Sequence, residues 1–177
     1  MRPADRIQLL LLLSLFVAPA LAAWFAHQVW QPSVSASYGE LLPPTVPQFA
    51  GITDGNGHSA NLLTLQGRWV LLTVVKGECG APCRVHLDLA RQVRLAQGRD
   101  RERVVQALLQ ADAVAPADVA GLFCYRVPGA ALDAWPDTVR TYLVDPRGRV
   151  MLRFPVAADG QRMLSDLRRL LKASRIG

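Results

Sequence analysis

Apolar positions along this chain fall into three patterns, and each predicts a different element. The longest is a near-continuous block from Ile7 to Trp30, broken only by Gln8, Ser14, Pro19, His27 and Gln28. A helix needs about 20 such residues to cross a bilayer, so the block predicts one membrane-spanning helix. The second pattern is the short apolar run. Trp69, Val70, Leu71, Leu72, Val74 and Val75, within Arg68–Val75, predict a central strand buried on both faces. Arg103–Leu109, Leu122–Val127 and Thr141–Val144 predict further strands. Arg149–Phe154 returns as a hairpin partner across Asp145-Pro146-Arg147-Gly148, a turn with Pro and Gly in favoured places. The third pattern is helical spacing. Pro82–Ala96 puts Val85, Leu89, Val93 and Ala96 on one face, with Arg84, Asp88, Arg91 and Arg94 elsewhere, and Gly98 ends it. Ala113–Ala120 is a shorter helix candidate. Gly160–Ser174 is amphipathic through Met163, Leu164, Leu167, Leu170 and Leu171, and Arg168, Arg169 and Lys172 suit the negative end of its dipole.

The segments between these elements set the organisation. Gln31 to Gln48 holds Pro32, Pro43, Pro44 and Pro47 with three serines, which predicts an extended linker. Thr53–Ser59 is a strong turn through Asp54-Gly55 and Asn56-Gly57, flanked by Phe49–Ile52 and Leu62–Leu65 as short strand candidates. The expected division is 1–30 cytoplasmic tip and anchor, 31–48 linker, and 49–177 one folded domain. The order strand, helix, strand, helix, hairpin, closing helix predicts an α/β domain with a mixed central sheet flanked by helices.

Charge orients the anchor. Arg2 and Arg6 precede the apolar block, and Trp24 and Trp30 lie toward its far end, where aromatic rings favour the interface. The N-terminus is therefore expected in the cytoplasm, and the C-terminal domain outside it, in the periplasm of a Gram-negative cell. A competing reading is a cleaved signal peptide, because Ala18, Ala20 and Ala22 suit a signal peptidase; both readings export the domain. The 177 residues carry 20 basic and 14 acidic side chains, a net charge of +6, with arginine supplying 18 of the 20. Behind an export signal, and with no aromatic interleaving, this charge does not point to nucleic acid. The run Arg99-Asp100-Arg101-Glu102-Arg103 alternates in sign, as a solvated surface does.

Candidate chemistry concentrates where the central strand ends. Cys79 and Cys83 lie in Gly77-Glu78-Cys79-Gly80-Ala81-Pro82-Cys83, with Pro82 suited to the first helical turn. A helix N-terminus gathers unpaired N–H groups and positive dipole charge, so it favours thiolate. Lys76 acts in the same sense and Glu78 opposes it. One thiol in the loop and one in the first turn allow a reversible disulfide or a two-thiolate grip on a soft ion such as copper(I). The plain alternative is two buried free cysteines. His86, three residues after Cys83, is either a neighbour of the thiols on the helix or a surface histidine. His58, in a turn, and His27, at the membrane end, are incidental. Cys124, beside Leu122 and Phe123, is a core filler or a resolving thiol. Three cysteines are too few for a disulfide framework.

A thiol pair after the first core strand, a late hairpin and a terminal helix make a thioredoxin-like arrangement. With the anchor and the C-x-x-x-C spacing, the chain resembles the Sco/SenC family, which binds copper and helps assemble the binuclear copper centre of cytochrome c oxidase. Tyr38-Gly39-Glu40-Leu41-Leu42-Pro43, Arg91–Gly98, Tyr142-Leu143-Val144-Asp145-Pro146 and Leu170–Gly177 are similar to proteobacterial membrane proteins associated with oxidase assembly. The resemblance implies that Cys79 and Cys83 are the copper-binding or redox-active cysteines and that oxidase subunits or other assembly factors are the partners. It also implies an assembly factor in preference to a turnover enzyme, or a thiol–disulfide oxidoreductase if enzymatic. Two departures stand out. The family's third ligand is a histidine shortly before the strand that leads to the Asp-Pro-x-Gly turn. Asp137 occupies that region here, and no histidine follows His86. The Cys-Pro that closes the family motif is replaced by Cys83-Arg84. Asp137 and His86 are thus the substitute ligands to test. Two further readings are a general exported oxidoreductase and a non-catalytic interaction module with a bridged loop. Against the former stand the C-x-x-x-C spacing and Val139, near where thioredoxins place a proline.

Overall fold

A computed structural model of the chain describes residues 12–13, 16–25, 37–49, 51–112 and 121–174. The chain divides into two compact units, Met1–Ala36 and Ser37–Gly177. In the first, the described residues are helical and present Phe16, Leu21, Trp24 and Phe25 as exposed apolar side chains. No helix among the described residues is long and apolar enough to cross a membrane, and part of the expected Ile7–Trp30 span lies outside them.

The second unit runs β1 (Glu40–Thr45), β2 (Thr53–Asp54), β3 (Trp69–Val75), α1 (Ala81–Leu95), β4 (Val104–Ala111), β5 (Leu122–Val127), β6 (Val139–Val144), β7 (Val150–Arg153) and α2 (Gly160–Ala173). The seven strands form one sheet in the order β1-β7-β6-β3-β4-β5-β2. β3, β4 and β5 are parallel, while β6 pairs antiparallel with β3 and with β7. The α/β reading with a mixed central sheet therefore holds. All seven residues of β3 and all eight of β4 are buried, which explains why apolar residues occupy both faces of each strand, with only Thr73, Gln106 and Gln110 polar.

Alternation along the strands divides the core. Leu71, Val104, Leu143 and Leu152 point to the face covered by α1 and α2, where they meet Ala90, Val93, Met163 and Leu167. Val70, Leu72, Val105, Leu109 and Tyr142 point to the other face. There, among the described residues, short turns and irregular segments cover the sheet through Leu65, Leu132, Phe49 and Trp135.

Three expectations change. The stretch read as linker to Gln48 is part of the fold from Ser37 onward: β1 pairs with β7 at the sheet edge, and the Gly39 N–H donates to Asp166 Oδ2 at 2.9 Å. Pro43 and Pro44 are tolerated because an edge strand needs only one side of its backbone paired, and the β1–β7 register shifts between Leu41 and Thr45, across them. Leu62–Leu65 is a 3-10 turn capped by Asn61, not a strand. The buried face of α1 is Cys83, His86, Leu87, Ala90 and Val93, while Val85, expected on the apolar face, is 66% exposed. The candidate helix Ala113–Ala120 lies outside the described residues.

Asp166 is buried on α2 and receives the Gly39 bond. Asp166→Ala is expected to lower unfolding free energy by about 1–3 kcal/mol, since it leaves a buried donor unpaired. Urea titration reads the loss, and faster exchange of the Gly39 amide locates it at the β1 edge.

Candidate thiol site

β3 ends at Val75 and the chain turns through Gly77, whose φ of 109° favours glycine. Gly80 then caps α1 without a side chain, Pro82 sits in the first turn, and Arg84 N–H closes the first helical bond to Gly80 O at 3.1 Å. No side-chain cap hydrogen bond forms there, so the dipole end of α1 stays open to a sulfur anion.

Cys79 and Cys83 are joined in a disulfide across this junction, with Cα atoms 5.1 Å apart. The two sulfurs are not equivalent. Cys83 has no exposed surface and packs with Val75, Leu87 and Leu108, while Cys79 borders the same cluster and is partly exposed. Of the two sulfurs, only that of Cys79 is open to an incoming group, while Cys83 is sealed beneath it. Val139, at the start of β6, packs against the cluster from the β6 side. Beside it, Lys76 N–H donates to Thr138 O at 2.8 Å and ties the Cys loop to β6.

The other candidates lie as follows. His86 is buried under α1, 5% exposed, and not a surface histidine. Its Nδ1 is 3.1 Å from Thr141 Oγ1, which in turn lies 3.4 Å from Thr73 Oγ1. Burial pushes the His86 imidazole below its ordinary pKa, and the Arg140 charge acts in the same direction. Asp137 is held by Arg140, and its Oδ2 lies 3.8 Å from Arg153. Arg140 also donates to Phe154 O, and Arg153 to Glu40. Cys124 is a free, half-buried thiol against the same cluster as Cys83, and burial raises its pKa. Among the described residues, no three His, Cys, Asp or Glu side chains converge as a metal site.

Residues 69–174 match the family described as transmembrane-like, thioredoxin-like, C-terminal domain. The chain belongs to this family. No curated protein matches its sequence. Among solved structures it resembles Bradyrhizobium japonicum ScoI with copper bound, at 20% identity, 74% of this chain, 98% of that one and a TM-score of 0.51. Yeast Sco1 is 13% identical over 81% of this chain and 97% of its own, with a TM-score of 0.59. BsSco, a member of the Sco family of cytochrome c oxidase assembly proteins in which a disulfide switch was identified, is 13% identical over 80% and 99%, with a TM-score of 0.53. At these identities the likeness establishes a Sco-like thioredoxin fold.

Within that fold, sequence reading missed the polar layer beneath the thiols. Thr73 interrupts the apolar run of β3, and Gln106 and Gln110 recur four apart in β4; strand alternation puts all three on the α1 face. That period was the available signal.

The His86 environment gives a pH dependence with a definite sign. Its folded pKa is lowered, so the unfolded chain binds more protons at acid pH. Its contribution is fully present above the ordinary value of 6.5 and is lost as the pH falls below it. Unfolding free energies of the oxidised protein measured from pH 7.5 to 5 are expected to decline on the acid side, and His86→Gln is expected to flatten that decline.

Proposed function

We propose that this protein is a membrane-anchored, periplasmic Sco-like assembly factor for cytochrome c oxidase, acting by thiol–disulfide exchange at Cys79 and Cys83. The observation that carries the chemistry is the asymmetric pair: one reachable sulfur and one fully buried sulfur at an open helix N-terminus. In the reduced protein the Cys79 thiolate attacks a client disulfide, forms a mixed disulfide and releases one client thiolate. Cys83 then attacks Cys79, closes the internal disulfide and releases the second. Two electrons pass to the client, and the two protons of the cysteine thiols end on the client thiols. An exported dithiol donor reverses the change for the next cycle. The oxidase partner is supported by the likeness to BsSco, whose family is described as oxidase assembly proteins. The anchor and its orientation rest on Ile7–Trp30 and on Arg2 and Arg6.

Copper(I) is the second reading, with the ion as cargo. Its support is the donor set: two soft thiolates suit copper(I), and the ScoI structure from Bradyrhizobium japonicum holds copper. The residues present do not fit copper(II) as well, because Asp137 is taken up by two arginines and His86 by Thr141.

Cys83→Ala leaves the attacking sulfur without its resolving partner. In cells it is expected to accumulate a mixed disulfide between Cys79 and an oxidase subunit or assembly factor, seen by non-reducing electrophoresis and mass spectrometry. Cys79→Ala is expected to trap nothing, and either change to lower assembled oxidase at least tenfold. Normal oxidase in the double-alanine strain would overturn the proposal. Thiol-dependent one-to-one copper(I) binding by the reduced protein, with no trapped client, would favour the cargo reading.

A further inference from the structure

Among the described buried polar side chains on the α1 face of the sheet, two lack partners: Trp69 Nε1, at the end of β3 far from the Cys loop, and the Gln110 amide, at the end near it. Thr73 and Thr141 meet each other, His86 meets Thr141, and Gln106 Nε2 donates to Leu87 O at 2.7 Å. Gln110 is 1% exposed, yet neither its Nε2 nor its Oε1 has a hydrogen-bond partner among the described residues. A buried primary amide with both ends unpaired is costly in a low-dielectric interior.

Its position connects that cost to the thiols. Gln106 and Leu108 of β4 face α1, one through its bond to Leu87 O and the other by packing with Cys83 and Leu87. Strand alternation puts Gln110 on the same face, two residues beyond Leu108 toward the Cys loop. In register it stands beside Val75, the last residue of β3 and another neighbour of Cys83. The unpaired amide and the buried sulfur therefore share one layer.

The geometry points to Gln110 as a positioning residue for the exchange proposed above: its amide stabilises Cys83 in the reduced state. When the Cys79–Cys83 bond is reduced, two electrons enter and, with the two of the broken S–S bond, leave one new lone pair on each sulfur. Cys83 becomes either a thiolate, which accepts from Nε2–H, or a thiol, whose S–H donates to Oε1. A disulfide sulfur has no hydrogen and is a weaker acceptor, so the bond forms on reduction and breaks on oxidation. The amide itself does not titrate, and it serves both protonation states. The oxidised protein thus carries an unsatisfied group that reduction relieves, which raises the reduction potential of the pair.

The inference rests on thiol exchange as the working chemistry, but equilibration of the full-length protein, in detergent, with glutathione needs no client. Failure of oxidase assembly would therefore not affect this result. Gln110→Met keeps the shape and removes both polar atoms. It is expected to lower the equilibrium constant for reduction about tenfold, or about 30 mV for a two-electron couple. Thermal unfolding should show the oxidised variant as stable as wild type or more so, and the reduced variant less stable. An unchanged potential with equal shifts in both redox states would overturn the inference, since a merely structural glutamine moves both alike. Wild-type protein supplies a check that needs no variant. The Gln110 side-chain amide protons should exchange more slowly and shift in the NMR spectrum on reduction; identical behaviour in the two states would equally overturn it.

Discussion

The thiol chemistry depends on how β3 hands over to α1. β3 is buried along its whole length and lies parallel to β4, so the chain must cross back over the sheet, and the helix that does so packs on the strands it has just left. Cys79 stands before the Gly80 cap and Cys83 inside the first turn, so the disulfide spans the handover itself. Cys83 is pressed onto Val75 and Leu108 and has the rigidity of the sheet beneath it. Cys79 belongs to the loop and keeps its access to solvent. Packing, not the order of the cysteines, decides which sulfur is reachable and which is sealed, and so which would attack and which would resolve in the proposed exchange.

A second constraint acts from the far side of the sheet. Asp137 precedes β6 and is gripped by Arg140, while Arg153 of β7 reaches both Asp137 and Glu40 of β1. Two guanidinium groups and two carboxylates thereby tie three neighbouring strands together. The same network bears on metal binding. A cation brought to Asp137 would meet Arg140 and Arg153 and would have to displace them from their carboxylates. The carboxylate where the Sco resemblance places a ligand is therefore engaged in holding β6, β7 and β1 in register.

Most of the scaffold was legible because buried strands and an amphipathic closing helix announce themselves. Trp69–Val75, Leu122–Val127 and Gly160–Ala173 form close to where their hydrophobic patterns put them. The failures share a cause. β1 was hidden because Pro43 and Pro44 signal a linker unless an edge position is known in advance, and edge positions are tertiary facts. Leu62–Leu65 has strand composition, but Asn61 accepts from Leu63 N–H and closes a tight turn instead. On α1, Val85 looked like core and His86 like surface. The reverse holds because Cys83 fixes the helix phase: its sulfur must face the sheet, and His86 and Leu87, one turn on, follow it inward. The disulfide was legible as a possibility from spacing, whereas the buried hydrogen-bond layer under it required knowing which strand residues share a face.

That layer bears on which chemistry the pair suits. Chelation asks two sulfurs and a further donor to converge on one accessible point. Exchange asks for something different: one sulfur exposed enough to be attacked, and one buried enough to re-form the internal bond once the client has been reduced. Here Cys83 is sealed, the nearest imidazole on its helix faces Thr141, and the acidic candidate is held by arginines. Copper(I), content with two thiolates, is compatible with this geometry once the disulfide opens, but among the described residues no group of three His, Cys, Asp or Glu side chains is arranged as a metal site. What lies beneath them is a set of neutral hydrogen-bonding groups, Thr73, Thr141, His86 and Gln110, in a low-dielectric interior. Hydrogen-bonding groups of this kind can follow a change in the charge and hydrogen content of a nearby sulfur. The layer beneath the sulfurs therefore suits the proposed thiol exchange better than chelation by a third ligand.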